Sequence, residues 1–144
     1  MPRALVDTTV LFAAAYRRDE AHEDALPILG GIDAGDLPEA VVLDYVLAET
    51  LNGLTTHAGH DAAVDFLDRI EENRRFHVAS LTADQFATAK AIFRQREPLS
   101  LVDAAVVAYM QAEGLASLYA FDDDFDTVDG ITRLDTAVDP YGPE

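Results

Sequence analysis

At 144 residues, 49% of them hydrophobic, the chain is long and apolar enough to bury a real core, which excludes a disordered polymer and suits one domain over 1–144. It has no cysteine, which excludes a disulfide scaffold and any thiolate metal site, and no apolar run of membrane-spanning length, so a soluble cytoplasmic protein is expected. Its formal net charge of −17 excludes binding of nucleic acid by bulk electrostatics, because counterion release needs cationic contacts.

Ala4-Leu5-Val6 reads as a buried strand that stops at the polar tip Asp7-Thr8-Thr9, and Asp7 makes the opening a poor signal peptide. A helix is expected from Val10 to Arg17 and a second from His22 to Ala34, with Pro27 tolerated only early in it. Ala40–Leu43 is a second buried strand, and Asp44 suits the N-cap of a helix running to His57. Gly59 interrupts, then Asp61 to Asn73 reads as an amphipathic helix with Val64, Leu67 and Ile70 in its stripe. Phe76-His77-Val78 is a short strand. Thr82 caps a helix to Gln95 that carries Phe86, Ala89, Ile92 and Phe93 on its apolar side. Ser100 opens another, Leu101 to Glu113, stopped by Gly114. Leu118–Phe121 is a strand ending in Asp122-Asp123-Asp124, and a last short strand falls at Ile131–Leu134. Strands alternating with helices predict an α/β fold with a mainly parallel sheet, whose ligands bind beyond the carboxyl ends of the strands.

The acids are scattered rather than gathered in a tail, and Lys90 is the only lysine beside the arginines. This is the surface expected of a halophilic protein, since the Debye length shrinks to about 3 Å at 1 M salt and self-repulsion is screened; the duller reading is an acidic protein of an ordinary cytoplasm. With 27 acids in 144 residues, carboxylate spacing alone identifies nothing. Context selects Asp7, Glu49, Asp103 and Asp122. Asp7 and Asp122 stand at strand tips, Asp103 in the first turn of a helix where the dipole favours an anion, and Glu49 at the expected core boundary beside Val46 and Gly53.

Two carboxylates about 4 Å apart repel by about 4 kcal/mol at an effective dielectric near 20, so such a cluster calls for a cation. All-oxygen ligation suits magnesium or manganese. Each acid also has a plain reading: a turn for Asp7, an exposed helical acid for Glu49, a capping box from Ser100 to Asp103, and an acidic turn at Asp122–Asp124. His57 and His60 lack a third ligand and read as a solvent-exposed helix end. Thr9 stands where an aspartyl phosphatase needs its second acid, and Lys90 falls in a helix rather than where a receiver domain needs a lysine.

The order and neighbours of the four acids carry a resemblance. Leu5-Val6-Asp7-Thr8-Thr9-Val10-Leu11 resembles the opening motif of PIN domains, and Leu47-Ala48-Glu49-Thr50-Leu51 their helix-borne glutamate. Leu99-Ser100-Leu101-Val102-Asp103-Ala104 is similar to their third motif and Phe121-Asp122-Asp123-Asp124-Phe125 to the last. The resemblance implies a three-layer α/β/α sandwich and a metal-dependent ribonuclease in which Asp7, Glu49, Asp103 and Asp122 hold Mg2+ or Mn2+, or the attacking water. It further implies that Thr9 supports Asp7 by hydrogen bonding, and that Asp124 or Asp126 assists from outside the ligand set. Ala120 departs from the Ser or Thr of many relatives. Size and single-domain form resemble VapC toxins, which implies an RNA substrate, a cognate antitoxin and a homodimer. Arg17 with Arg18, and Arg94 with Arg96, are the candidates to hold RNA phosphates, whereas Arg74 and Arg75 follow a helix and suit its C-terminal dipole. The alternative is a module of the same fold that binds antitoxin or RNA without efficient cleavage.

Overall fold

The computed structural model describes residues 2–142. In chain order the elements are β1 Arg3–Val6, α1 Thr8–Ala15, α2 His22–Ala34, β2 Glu39–Leu43, α3 Asp44–Ala58, α4 His60–Glu72, β3 Phe76–Ala79, α5 Ala83–Gln95, α6 Leu101–Glu113, β4 Ser117–Tyr119, a 3-10 turn Asp123–Thr127, and β5 Thr132–Leu134. The five strands form one sheet in the order β3-β2-β1-β4-β5, and every pairing is parallel. This is the α/β/α architecture expected, with the sheet wholly rather than mainly parallel. The chain winds outward from β1 in both directions, so β1 and β4 flank the point where strand order reverses. Val6 lies in register with Tyr119, which brings the tips of these two strands side by side.

β1, β2 and β4 are buried on both faces, which is why they read as unbroken apolar runs. α6 is the most enclosed helix. Its buried residues Ala104 to Ala108 and Met110 are mostly small, so it lies tightly in the core instead of showing one apolar stripe. Gly114 ends it in the left-handed conformation at φ 69°. Gly53 on α3 has another use: a Cβ there would lie 3.1 Å from the Phe12 ring, so its absence lets α1 pack close.

Several boundaries differ from expectation. α1 begins at Thr8 rather than Val10, because Asp7 is its N-cap and accepts from Thr9 N–H. Asp44 is the first residue of α3 and not its cap; its carboxylate takes the N–H of Tyr45 at 2.9 Å. α4 buries Ala63, Phe66 and Ile70, leaving Val64 41% exposed. Both stripes share Ile70, and the Phe66 ring buries more surface than Leu67, so it sets the inward face. On α5, Ala89 is enclosed while Phe93 faces outward at 48% exposure. Pro27 lies in the second turn of α2 without ending it. β4 stops at Tyr119 because the chain then leaves its ladder with β1: the N–H of Phe121 turns to the Thr9 hydroxyl at 3.0 Å. Among the described residues, no helix is long and apolar enough to cross a membrane.

Candidate active site

Asp7 follows β1 and is 2% exposed. Its N–H donates to the Tyr119 carbonyl at 3.0 Å, which stitches the two central strand tips together. Its Oδ2 accepts from the Thr9 hydroxyl at 2.8 Å and the Thr9 N–H at 3.3 Å. The same hydroxyl accepts from Phe121 N–H, so Thr9 bridges Asp7 to the segment leaving β4. Burial pushes the Asp7 carboxyl up to about 6; Thr9 opposes the shift and the nearby Asp103 charge adds to it.

Asp103 closes a capping box on α6. Its N–H donates to Ser100 Oγ and its Oδ2 accepts from Ser100 N–H, both at 3.1 Å. Burial raises its pKa, the Ser100 backbone N–H and side-chain hydroxyl oppose this, and the Asp122 and Glu49 charges raise it further. The capping reading and the site reading of Asp103 are therefore compatible, because capping engages only one oxygen. Asp122 caps the 3-10 turn by accepting Asp124 N–H on Oδ1 at 2.9 Å.

Glu49 corrects one expectation. The inward face of α3 is Val46, Thr50 and Leu54, at four-residue spacing, and Glu49 lies beside it on the exposed side rather than at the core boundary. Its charge still reaches Asp103. Electrostatics thus links all four predicted acids: Asp7 to Asp103, and Asp103 to both Asp122 and Glu49. Among the described residues, the only three acids whose ligand oxygens all lie within 4.8 Å of one another are Asp122, Asp123 and Asp124. The larger quartet is linked by charge and is not gathered so tightly.

The donor set fits a hard divalent cation. Asp7, Asp103 and Asp122 each engage one oxygen in a local bond, leaving Asp7 Oδ1, Asp103 Oδ1 and Asp122 Oδ2 without a donor among the described residues. Oxygen-only ligands of this kind suit magnesium or manganese.

The remaining candidates divide. Asp124 stays beside Asp122, whose charge is the first cause of its raised pKa. Asp126 has both oxygens engaged by Arg133, Nε to Oδ1 at 2.9 Å and Nη2 to Oδ2 at 3.0 Å, and this pairing lowers its pKa. Its carboxylate is directed to that cation. Arg17, Arg18 and Arg94 are exposed and form no ion pair among the described residues. Arg96 instead donates Nη1 to the Thr127 carbonyl at 3.1 Å. Arg75 binds the Ile32 and Leu37 carbonyls at 2.6 and 2.8 Å, so it serves the C-terminal end of α2 and not the helix it follows. His57 packs on Phe12 and Tyr16, ring centroids 5.8 Å away from each.

Sequence reasoning passed over Arg133. The available signal was that it is the only basic residue between Asp122 and Asp139. Away from the acids, α1, α2 and α4 enclose a groove of about 640 Å3 lined by Ala14, Leu26, Leu29 and Phe66, with Arg17 and Arg69 also on its walls.

Residues 4–131 match the PIN domain, and the chain belongs to that family. No curated protein matches it in sequence. It is similar to the crystal structure of VapC20 from Mycobacterium tuberculosis, a toxin that cleaves the sarcin–ricin loop, with 28% identity and a TM-score of 0.76 over 86% of this chain and 93% of that one. It shares its fold with VapBC2 from Rickettsia felis bound to a promoter DNA fragment, at 13% identity and a TM-score of 0.69 over 92% and 98% of the two chains. A toxin–antitoxin complex from Klebsiella pneumoniae has the same fold, at 19% identity and a TM-score of 0.62 over 94% and 98%.

Proposed function

We propose that this protein is a VapC-type ribonuclease that hydrolyses RNA phosphodiester bonds with Mg2+ or Mn2+ held by Asp7, Glu49, Asp103 and Asp122. The observation that carries this reading is the charge-linked set of Asp7, Asp103 and Asp122, each with a carboxylate oxygen free of donors among the described residues, in a PIN domain. A bound divalent cation supplies charge for the phosphodiester and lowers the pKa of a water. Asp7, held by Thr9, and Asp103, held by Ser100, give fixed oxygens that need no reorganisation, while the exposed Glu49 is left to orient the water. The products are a 5′-phosphate and a 3′-hydroxyl. Arg17 and Arg18, free of ion pairs among the described residues, take the RNA backbone, and their joint replacement by Ala weakens RNA affinity severalfold.

The likeness to VapC20 makes the sarcin–ricin loop the first RNA to offer. The likeness to toxin–antitoxin complexes supports a cognate antitoxin, which we place in the α1-α2-α4 groove, and a homodimer. The acidic surface fits work in a salt-rich cytoplasm. The test is cleavage of end-labelled RNA in high salt, with Mg2+, Mn2+ or chelator, beside Asp103→Asn, which keeps an oxygen to accept Ser100 N–H. Metal-dependent cleavage lost in the variant supports the reading. Folded wild-type protein that cuts nothing under either metal leaves a binding module instead.

A further inference from the structure

We infer that Arg133 is a positioning residue for Asp122, tying down both flanks of the loop that presents this carboxylate. The inference rests on the metal-site reading above. Arg133 lies on the edge strand β5, in register with Leu118, and just beyond the residues that match the PIN domain. Its Nη1 donates to the Ala120 carbonyl at 3.2 Å, two residues before Asp122. Its Nε and Nη2 form the two-pronged pair with Asp126, four residues after Asp122. One guanidinium thus holds positions 120 and 126 together, a geometry that lysine cannot reproduce.

The loop requires such a fastener. Asp122, Asp123, Asp124 and Asp126 stand within five residues, and ligand oxygens of Asp122, Asp123 and Asp124 all lie within 4.8 Å of one another, where like charges repel. Arg133 answers it with a cation that is only 17% exposed, against 53% for the Asp126 side chain. On the other flank Thr9 Oγ accepts Phe121 N–H. Asp122 therefore stands in a short arch pinned to β5 by Arg133 and to α1 by Thr9, with its Oδ2 free of donors among the described residues.

Two effects of removing Arg133 have opposite signs, and this makes the inference testable. Losing a cation beside acids strengthens their attraction for a divalent ion. Releasing the arch weakens it, because a ligand no longer held in place must be ordered on binding. We expect positioning to win. Calorimetric titration of Mn2+ into wild type, Arg133→Met and Arg133→Lys, each checked for folding by circular dichroism in chelator, reads the balance. Arg133→Met is expected to bind Mn2+ about tenfold more weakly, the size typical of lost partners around metal ligands. Arg133→Lys should lie between, and adding Asp126→Asn to Arg133→Met should cost little more. Mn2+ affinity of Arg133→Met equal to or tighter than wild type overturns the inference. If Arg133→Met does not fold, unchanged affinity in Arg133→Lys overturns it instead. Wild type that binds no Mn2+ defeats the metal-site reading and this inference together, a distinct result.

Discussion

Asp7 and Asp122 occupy equivalent places, each just after a central strand and each capping the turn that follows, yet their surroundings differ. Asp7 is enclosed by core, and its ionised form is disfavoured mainly because it has been taken from water. Asp122 is partly open and stands among other acids, next to a loop that is fastened by a guanidinium. The comparison shows two ways to fix the position of a carboxylate at a strand tip. One relies on a rigid, dry frame; the other relies on a nearby cation that holds the loop without touching Asp122 itself. A divalent ion between them would relieve both costs.

The largest effect that sharpens this contrast is expected from Asp7→Asn. Cleavage should fall by more than about a hundredfold, beyond the loss typical of residues outside the ligand set. The metal-free variant should nevertheless be more stable than wild type, by at most about 3 kcal/mol, since a displacement from 3.8 to about 6 is removed. RNA cleavage assays and urea unfolding in chelator check the two halves; a variant destabilised in chelator would break the desolvation account of Asp7.

Thr9→Val comes next. It keeps the shape of the side chain and removes the hydroxyl shared by Asp7 Oδ2 and Phe121 N–H, a side-chain bridge between the two regions. An expected loss of about 1–3 kcal/mol in urea unfolding follows from leaving those groups unsatisfied. A neutral result would mean that the main-chain pairing of β1 with β4 holds the two tips without the Thr9 bridge.

The pH dependence of Asp7 separates the regions further. Its folded pKa lies above its unfolded value, so the ionised group destabilises the metal-free fold above pH 6, and protonation relieves this as pH falls toward 4. The stability advantage of Asp7→Asn is therefore expected in full above about pH 7 and absent near pH 4. Unfolding of both proteins in chelator across this range checks it, and a constant difference would exclude titration of Asp7 as the cause.

The smallest effect is a control at the opposite end of the sheet. His77 hydrogen-bonds Glu39 and lowers its pKa, so this contact supports the fold above the ordinary glutamate pKa and is lost as pH falls through the lowered value. Glu39→Gln should reduce resistance to acid slightly and leave RNA cleavage at the wild-type rate. Altered cleavage would show that the strand tips sense the far edge of the sheet.

Much of this molecule was legible along the chain because its signals are local. Thr82 with Gln85, and Ser100 with Asp103, are capping boxes that mark two helix starts, and Gly114 marks a helix end through its backbone freedom. The apolar runs of β1 and β2 needed no partner to be recognised, since strands buried on both faces carry no alternation. The four acids stood out as candidates only through the resemblance of their order and neighbours to PIN motifs, because the number of acids made spacing uninformative. Other features depended on what lies across space. Ile70 belongs equally to two possible stripes of α4, and only packing chose Phe66 over Val64. Glu49 was displaced from the core boundary because Val46, Thr50 and Leu54 took the inward face of α3.

The sequence by itself determined the α/β class and most element boundaries, because periodicity, capping and turn chemistry act within a few residues. The tertiary structure alone decided which carboxylates keep an oxygen free and which do not. Asp126 is chemically identical to Asp122, but a guanidinium seven residues further on engages both its oxygens. Asp7 owes its dryness to strands and helices distant in the chain, and Phe121 turns to a hydroxyl 112 residues away. Burial and hydrogen bonding across such separations are properties of the packed molecule, and they separate an acid with a free oxygen from an acid whose oxygens are both engaged.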